Sequence, residues 1–591
     1  MRPTDLPEPG EIVDDFLLVE RLGQGAFADV WLARQVSLQR MVALKISADA
    51  GQEPATLAQL DHPHVVRVFD QRAVPGRDWR LLYMEVVPGG TLDEVIARVR
   101  AQAPGDRSGR LLLEAIDEAL AQRSEPPPAD SLVRRELSGL TWPQTVARLG
   151  AELAEALHHA HGEGVLHRDV KPANVLLAAN GVPKLADFNI AYAQAVDDAP
   201  PEETLGGSVA YMAPEQLRAL SPFHDDEAAH MDGRADLYAL GVLLVELLAG
   251  ELPWPERTPP RDGDWRPFVE ELLEDRRQAA HLTLPADTPP SLARAVAAAL
   301  AYEPEARPAD GATLARRLRL ALHPEVERRV EQADRGWAGF VRRWPTASLL
   351  AAIALPSVVL GTLNVLYNLR AVIEKDPAWG SFEQQVGLVN AVAYALGLGL
   401  LAWFARPFAR AVRADAAGEP ATATDVARAL DLPRRAACVV LPLWILGGLA
   451  FPVWRTLEGG VVGGAAWSHF VVSNVLFGVL AATGAFFNAA AVIVVGALAP
   501  VLAPPRPAPW PEDAAQRLER RAQVCFGASV AVPFVSVVAN TFMPHDEQAV
   551  YLVLGLLGVV AFGLAWLLHD LVRRTLAALR RATAAAGSAS L

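Results

Sequence analysis

The first segment suited to chemistry is glycine-rich, Gly23-Gln-Gly-Ala-Phe-Ala-Asp-Val30, and it lies between two strand-like runs. Glycine lets backbone N–H groups approach an anion closely, so this layout is typical of a loop that folds over nucleotide phosphates. Ala28 occupies the place where such loops often have a third glycine. Taken alone, the segment also fits an ordinary β-hairpin.

Lysine is rare in this chain, and its few positions indicate where an ammonium is needed. Of 54 basic residues only four are lysines, and these are Lys45, Lys171, Lys184 and Lys375. Arginine supplies nearly every other positive charge, so a retained lysine indicates a place that needs a compact point charge. Lys45 ends the short β-type run Val42-Ala-Leu-Lys45, and Lys171 lies in His167-Arg-Asp-Val-Lys-Pro-Ala-Asn174.

Further short motifs follow in order along the chain: Asp187-Phe-Asn189, Ala213-Pro-Glu215, Asp236-Leu-Tyr-Ala-Leu-Gly241 and Arg307-Pro308. The ordered set resembles the eukaryotic-like protein kinase family, in its bacterial Ser/Thr branch, over about residues 16–320. The resemblance implies an α+β bilobal protein-kinase fold with an N-lobe at 16–83 and a C-lobe at 88–320. A tail, residues 1–15, precedes it.

The resemblance also implies roles for individual residues. Asp169 would accept or orient the substrate hydroxyl proton, and Lys171 would face the γ-phosphate. Lys45 would hold the α- and β-phosphates of ATP, while Asn174 and Asp187 would bind Mg²⁺ through oxygen atoms. Around ATP the resemblance places Leu22, Gly23, Gln24, Gly25, Ala26, Phe27, Ala28, Val30, Ala43, Glu53, Met84, Glu85 and Val87, with Met84 as gatekeeper at the start of the hinge.

Other positions match the family's structural and regulatory residues. Glu215 and Arg307 are expected to form an ion pair that braces the C-lobe. Arg168, which precedes the catalytic aspartate, is suited to bind a phosphate on the activation loop. Thr204 is the favoured phosphorylation site in that loop, and Ser208 aligns with a hydroxyl that faces the substrate.

Three features depart from the family's pattern. Asn189 replaces the glycine after Asp187-Phe188, and asparagine is among the residues best able to adopt φ > 0. Glu53, the expected partner of Lys45, lies only eight residues beyond that lysine, so the regulatory helix is expected to be short. An insertion at 98–141 is either a decorative surface addition or a docking or regulatory element. Asp-Phe-Asn and the insertion together resemble a planctomycete-type subgroup of membrane kinases.

The second half of the chain is apolar enough to cross a membrane repeatedly. After a juxtamembrane segment at 321–345, a transmembrane domain of about six helices is expected at 346–570, followed by a tail at 571–591. The apolar stretches are 346–368, 384–405, 436–454, 467–502, 524–542 and 549–569. The stretch at 467–502 is long enough for one helix or two.

Arginine counts in the loops predict the orientation of these helices. Residues 406–435 contain six arginines, and residues 503–523 and the tail contain four each. The positive-inside rule places these regions in the cytoplasm. The prediction is therefore six spans in the cell (inner) membrane, a lipid-bilayer partner, and a cytoplasmic kinase domain.

Polar residues within the spans are predicted to join helices to one another. They are Asn364, Asn390, His469, Asn474, Asn488 and Asn540. His469 is the titratable residue among them and the alternative candidate for sensing.

Bulk properties exclude several classes of function. The net charge of −14 argues against a nucleic-acid partner held by electrostatics. The two cysteines, Cys438 and Cys525, do not suggest a disulfide framework. The acidic, Pro-rich first residues lack the features of a signal peptide.

The favoured function is transfer of the γ-phosphate of ATP, with Mg²⁺, to Ser/Thr hydroxyls of protein substrates in signalling at the cytoplasmic face of the membrane. The alternative is a nucleotide-binding pseudokinase scaffold at the membrane. A regulated transporter is a third reading, but sparse charge within the spans argues against it. A homodimer is a further possibility.

Overall fold

The described strands between Ile12 and Met84 form a β-sheet because their apolar side chains recur at the two-residue period of a strand. The structure is a computed structural model that describes residues 7–24, 28–48, 60–74, 76–188, 208–219, 231–255, 257, 266–278, 283–370, 382–502, 510–542 and 545–583. The chain divides into two compact units, Met1–Leu322 and His323–Leu591.

The first unit begins with a six-stranded antiparallel sheet whose order is β1-β2-β3-β4-β6-β5. Its strands are β1 (Ile12–Val13), β2 (Phe16–Gln24), β3 (Ala28–Gln35), β4 (Arg40–Ala48), β5 (Val68–Ala73) and β6 (Trp79–Met84). One face buries a core that includes Phe16, Trp31 and Leu44. Because side chains alternate along β4, Ala43 and Lys45 lie on the opposite face.

The rest of the first unit is mainly helical, with one small hairpin. Its elements are α1 (Leu92–Ala101), α2 (Gly109–Gln122), α3 (Leu132–Ser138), α4 (Trp142–Gly162), β7 (Val175–Leu177), β8 (Pro183–Leu185), α5 (Pro214–Ala219), α6 (Arg234–Ala249), α7 (Arg266–Gln278), α8 (Pro290–Ala299) and α9 (Gly311–Leu320). A capping box of Thr141 and Gln144 begins α4, and α6 is buried on nearly every side.

The interpretation of the insertion as surface decoration is wrong. Its helix α2 buries Leu112, Ile116 and Leu120 completely in the main core of the first unit, and Leu137 of α3 is equally buried. Arg134 also ties the insertion to the β7–β8 hairpin, because its Nη1 donates to the Ala179 carbonyl oxygen over 2.9 Å. The Leu-rich run that sequence marks as helical therefore forms part of the helical core.

Among its described residues, the second unit contains six helices that are long and apolar enough to cross a membrane, as predicted. Its elements are α10 (Pro324–Glu331), α11 (Gly336–Arg343), α12 (Pro345–Asn368), α13 (Phe382–Phe404), α14 (Arg406–Ala416), α15 (Ala423–Leu457), α16 (Gly464–Val494), α17 (Leu498–Leu502), α18 (Glu512–Phe542) and α19 (His545–Thr583). The long stretch at 467–502 contributes one spanning helix, α16, and then the short helix α17.

Ion pairs join the arginine-rich segments of the second unit to one another. Arg410 of α14 pairs with Asp425 at the start of α15, with Nη2 and Oδ1 2.5 Å apart. Arg521 of α18 contacts Asp431 of α15, and Arg580 Nη2 of α19 lies 2.8 Å from Glu512 Oε1. The segments that contain 406–435, 512–521 and the end of α19 therefore meet.

Several polar residues within the spans connect helices, as predicted. Asn364 Nδ2 of α12 donates to Asn474 Oδ1 of α16 over 3.3 Å, and Asn488 Nδ2 donates to the Ala352 carbonyl over 2.9 Å. Gly448 makes room for Asn474, because a Cβ at that glycine would lie 2.5 Å from the Asn474 Cβ. Asn390 is different, because its side chain is exposed and forms no hydrogen bond among the described residues, and the side chain of Asn540 lies outside them.

Candidate active site

Lys45 is held in the middle of the sheet, where β4 pairs with β3 on one side and β6 on the other. Its direct partners across the strands are Val30 and Leu82. The Lys45 ammonium reaches Asp187, with Nζ and Oδ1 3.3 Å apart. The Lys45 charge holds the pKa of the Asp187 carboxyl below its usual range. The sheet thus brings a cation to an ionised carboxylate 142 residues away in sequence.

A second cluster lies on the loop and short 3₁₀ turn after α4. The Lys171 ammonium lies 2.8 Å from Asp169 Oδ2. Asn174 Nδ2 donates to the Asp169 carbonyl over 2.8 Å and to Asp169 Oδ2 over 3.0 Å. Both donors of the Asn174 amide group thereby fix Asp169, and the Asn174 oxygen stays available as a ligand atom.

One hydrogen bond links this cluster to Asp187. The Ala186 N–H donates to the Asn174 carbonyl over 2.9 Å, so the segment with Asp187 is held beside the 3₁₀ turn. Asp187 has φ of 56°, which is uncommon for a residue with a side chain. The structure therefore brings together Lys45, Asp169, Asn174 and Asp187, with Lys171 on Asp169.

Asp236 anchors the loop that carries Asp169, and sequence reasoning gave it no role. Its carboxylate accepts hydrogen bonds from the His167 N–H at 2.9 Å, the Arg168 N–H at 2.7 Å and His161 Nε2 at 2.8 Å. Burial raises the pKa of Asp236, but the His161 hydrogen bond and nearby charges outweigh it, so the pKa lies below its usual range. The sequence feature that could have indicated this anchoring role is the motif that begins at Asp236.

His167 fixes the other side of that loop. The ring is fully buried, and burial lowers its pKa below the usual range, so it is neutral. Its Nε2 donates to the Ala186 carbonyl over 2.9 Å, and its Nδ1 accepts from the Asp169 N–H over 3.3 Å. The ring also packs on Phe188 with 4.4 Å between centroids. One neutral imidazole therefore holds the segments before Asp169 and Asp187 together.

An apolar slot lies beside the charged groups, between the sheet and the β7–β8 hairpin. Five of the residues that the resemblance places around ATP lie in one cluster: Leu22, Val30, Ala43, Met84 and Val87. They are joined there by Val66, Leu82, Leu176 and Ala186. A cavity beside this cluster is lined by Met84 and Ala186 and reaches Lys45 and Asp187. An apolar slot with charges at one end can take an aromatic ring that carries phosphates.

Glu85, in the hinge after β6, is fixed by contacts that sequence did not predict. Its Oε1 lies 2.6 Å from the Lys184 ammonium and accepts the Arg67 N–H over 2.8 Å. The third of the rare lysines, Lys184, thus orients the hinge.

The residues present fit a divalent cation and a nucleotide. Asp187 offers an ionised carboxylate and Asn174 an amide oxygen, which are ligand types that Mg²⁺ takes. Lys45 and Lys171 supply two positive charges at the same end of the apolar slot, where phosphates would be neutralised. Gly23 and Gln24 pair with Val30 and Asp29 across the β2–β3 turn.

Two further predictions concern residues beyond the site. Arg307 and Glu215 form a bidentate ion pair, with Nη1–Oε1 at 2.6 Å and Nη2–Oε2 at 2.8 Å. The Arg307 side chain is completely buried, as a bracing pair requires. Ser208 begins a 3₁₀ turn, Ser208–Tyr211. Gly25, Ala26, Phe27, Glu53, Asn189 and Thr204 lie outside the described residues.

Comparisons with known proteins agree with this arrangement. The family model described as protein kinase domain matches residues 124–316. The serine/threonine-protein kinase PknB of Mycolicibacterium smegmatis is 29% identical over 314 residues, which cover 51% of this chain and 41% of PknB. CBL-interacting protein kinase 4 of Oryza sativa subsp. japonica is 32% identical over 259 residues, which cover 42% of this chain and 46% of that relative.

Among solved structures, the Mycobacterium tuberculosis PknI kinase domain matches 54% of this chain and 99% of its own at 24% identity and a TM-score of 0.33. The chain spans less than half the length of the curated relatives named above. The predicted bilobal fold followed by a multi-span helical region is confirmed. The first unit has the protein kinase fold, with a β-sheet N-lobe and a helical C-lobe, and its relatives support a bacterial, eukaryotic-like Ser/Thr protein kinase.

Proposed function

We propose that this chain transfers the γ-phosphate of ATP to Ser/Thr hydroxyls of protein substrates at the cytoplasmic face of a membrane, as a signalling enzyme. The observation that carries the proposal is the convergence of Lys45, Asp169, Lys171, Asn174 and Asp187 beside one apolar slot. A pseudokinase scaffold is less favoured, because a protein that only binds nucleotide does not need all of the residues used for phosphate transfer.

Each residue has a defined task in this proposal. Asp169, oriented by the Asn174 amide, holds the substrate hydroxyl and takes up its proton. Lys171, 2.8 Å from that carboxylate, neutralises charge on the transferred phosphoryl group. Lys45 neutralises the phosphates that remain on the nucleotide. Asp187 and Asn174 would hold Mg²⁺, which supplies charge neutralisation between the phosphates when bound.

The adenine ring would lie between the sheet and the β7–β8 hairpin. Ala43 and Val30 would cover one face of the ring, and Leu176 would lie on the other. Glu85 and Val87 would present hinge backbone to the edge of the ring. The Lys184–Glu85 ion pair keeps that hinge in place.

The membrane unit would fix the kinase at the bilayer surface with both chain ends in the cytoplasm. Support comes from the ion pairs that join α14, α15, α18 and α19, because the arginine-rich segments meet at these contacts. A shared cytoplasmic end follows from the positive-inside rule. Thr204 and Ser208 are proposed regulatory hydroxyls, with Arg168 as the cation that would meet a phosphate.

The direct test is phosphate transfer by the purified full-length protein in detergent. Radiolabelled ATP with Mg²⁺ and a general protein substrate should give phosphoserine and phosphothreonine, and EDTA should abolish the signal. ATP binding without transfer to itself or to any protein would favour the pseudokinase alternative. Phosphotyrosine as the main product would contradict the proposed substrate class.

A further inference from the structure

The helical part of the first unit contains an arginine that is almost completely buried. Arg276 lies on α7 and is 1% exposed. Burial lowers the pKa of Arg276 to about 10, so the guanidinium still carries its charge at neutral pH. Its Nε and Nη1 are buried without a hydrogen-bond partner in the part of the chain that the structure describes. A side chain held at this cost in desolvation needs an explanation beyond filling space.

The remaining nitrogen of Arg276 binds one short turn. Its Nη2 donates to the Val209 carbonyl over 2.8 Å and to the Ala210 carbonyl over 3.2 Å, and both belong to the 3₁₀ turn Ser208–Tyr211. Trp254 Nε1 donates to the same Ala210 carbonyl over 3.1 Å. The Trp254 ring also packs on the guanidinium, with Cζ 3.7 Å from the ring centroid. Two buried side chains therefore hold this turn through its backbone.

Arg276 and Trp254 form one end of a stack that begins at the Arg307–Glu215 ion pair. Arg307 Cζ lies 4.8 Å from the centroid of the Tyr238 ring. The Tyr238 and Trp254 rings stack with 6.3 Å between centroids and 10° between planes. Cations over aromatic faces close both ends of the stack, and all four of its side chains are buried. The turn is thus attached to the part of the C-lobe that the ion pair braces.

Gln216 links the segment after this turn to the loop that carries Asp169. Its Oε1 accepts the Ala213 N–H over 3.0 Å, and its Nε2 donates to the Arg168 carbonyl over 3.3 Å. Arg168 directly precedes Asp169, so the turn is held close to the proposed catalytic aspartate. Ser208, the first residue of the turn, is also the hydroxyl that the kinase resemblance places against the substrate.

We propose that Arg276 is a positioning residue for the protein substrate, because it fixes the turn Ser208–Tyr211 against which the chain around the accepting hydroxyl lies. The inference rests on the proposed phosphotransfer function and adds a residue to it. Since Arg276 is buried, it acts on the substrate only through the Val209 and Ala210 carbonyls. It should therefore affect the protein substrate and not ATP.

Core packing is the competing role for Arg276, and the hydrogen bonds separate the two roles. Without this side chain the Val209 carbonyl would keep the Met212 N–H at 3.3 Å, and the Ala210 carbonyl would keep Trp254 Nε1. Neither carbonyl would lose its last partner, and the buried N–H groups that lack partners would be gone. An apolar side chain of similar length should therefore change stability little, while it frees the turn to shift.

The test measures steady-state kinetics of the full-length protein in detergent, with radiolabelled ATP, Mg²⁺ and myelin basic protein as substrate. Arg276→Met should raise the KM for myelin basic protein by about fivefold or more and change kcat by less than about twofold, the pattern of lost substrate binding. The KM for ATP should not change. Arg276→Lys keeps a charge and a donor, so its KM should lie between those of wild type and Arg276→Met. Arg277→Met, the same change at a neighbour whose side chain is 52% exposed, should match wild type.

Thermal unfolding of the same samples distinguishes positioning from packing. Arg276→Met should unfold within about 3 °C of wild type. An unchanged KM for myelin basic protein in Arg276→Met would overturn the inference. A lower Tm and a lower kcat together with that unchanged KM would assign Arg276 to core packing instead. Absence of phosphate transfer by wild type to any protein would contradict the proposed function itself, and the inference with it.

Discussion

The Lys45 ammonium lies 3.3 Å from the Asp187 carboxylate, although the two residues belong to different lobes. One comes from β4 and the other from the segment after the β7–β8 hairpin. Each group is one that a phosphate or a cation would engage, so the pair marks where the two lobes meet around a ligand.

Lys45→Arg should reduce phosphotransfer by about 10²-fold or more, the scale of losing one preorganised electrostatic group. The guanidinium is a planar fork that cannot take the place of a point charge in a confined site. Lys184→Arg is the matched control, because Lys184 pairs with Glu85 of the hinge and not with Asp169 or Asp187, so we expect a much smaller loss. Steady-state transfer rates check both. Full activity in Lys45→Arg would show that position 45 does not specifically need lysine, although lysine is rare in this chain.

Leu112→Ala should destabilise the kinase unit by about 2–5 kcal/mol, because it leaves a cavity in a fully packed core. Leu132→Ala is the control, since that side chain in the same insertion is 67% exposed and should change stability by less than about 0.5 kcal/mol. Urea unfolding of residues 1–340 measures both. Equal, small effects would mean that the insertion is dispensable to the fold.

Labelling of introduced cysteines should report the orientation of the membrane unit. In a background without Cys438 and Cys525, Glu419→Cys should resist a membrane-impermeant thiol reagent in intact cells, because it lies between the arginine-rich helices α14 and α15. Val461→Cys, at a position 99% exposed between α15 and α16, should react. The reverse pattern would invert the proposed topology.

Much of the site could be predicted from sequence. Phosphate transfer requires particular residue types, and several of them lie a few residues apart in this chain. Asp169, Lys171 and Asn174 fall within one loop, so their proximity was guaranteed. The anchoring role of Asp236 was not predictable in the same way, since its partners His167 and Arg168 lie 69 and 68 residues earlier and meet it only in the folded core.

The insertion shows that contacts between residues distant in sequence also limit the prediction of the fold. Its apolar periodicity predicts helix α2, but periodicity does not say what covers the apolar face. Leu137 and the core around α4 and α6 do so, through contacts distant in sequence. Asn390 is a related case: sequence grouped it with the other asparagines, but its side chain is exposed in the structure, whereas Asn364 and Asn474 bond to each other between helices.

The measurement that tests the central claim most directly compares Asp169→Asn with wild type in two assays on the same purified protein. The account predicts that ATP affinity changes little, because Asp169 contacts Lys171 and Asn174 rather than the apolar slot. It predicts that phosphotransfer falls by roughly 10²- to 10⁴-fold, the contribution of a positioned general base. Undiminished phosphotransfer in Asp169→Asn would contradict the assignment of this cluster as the catalytic site.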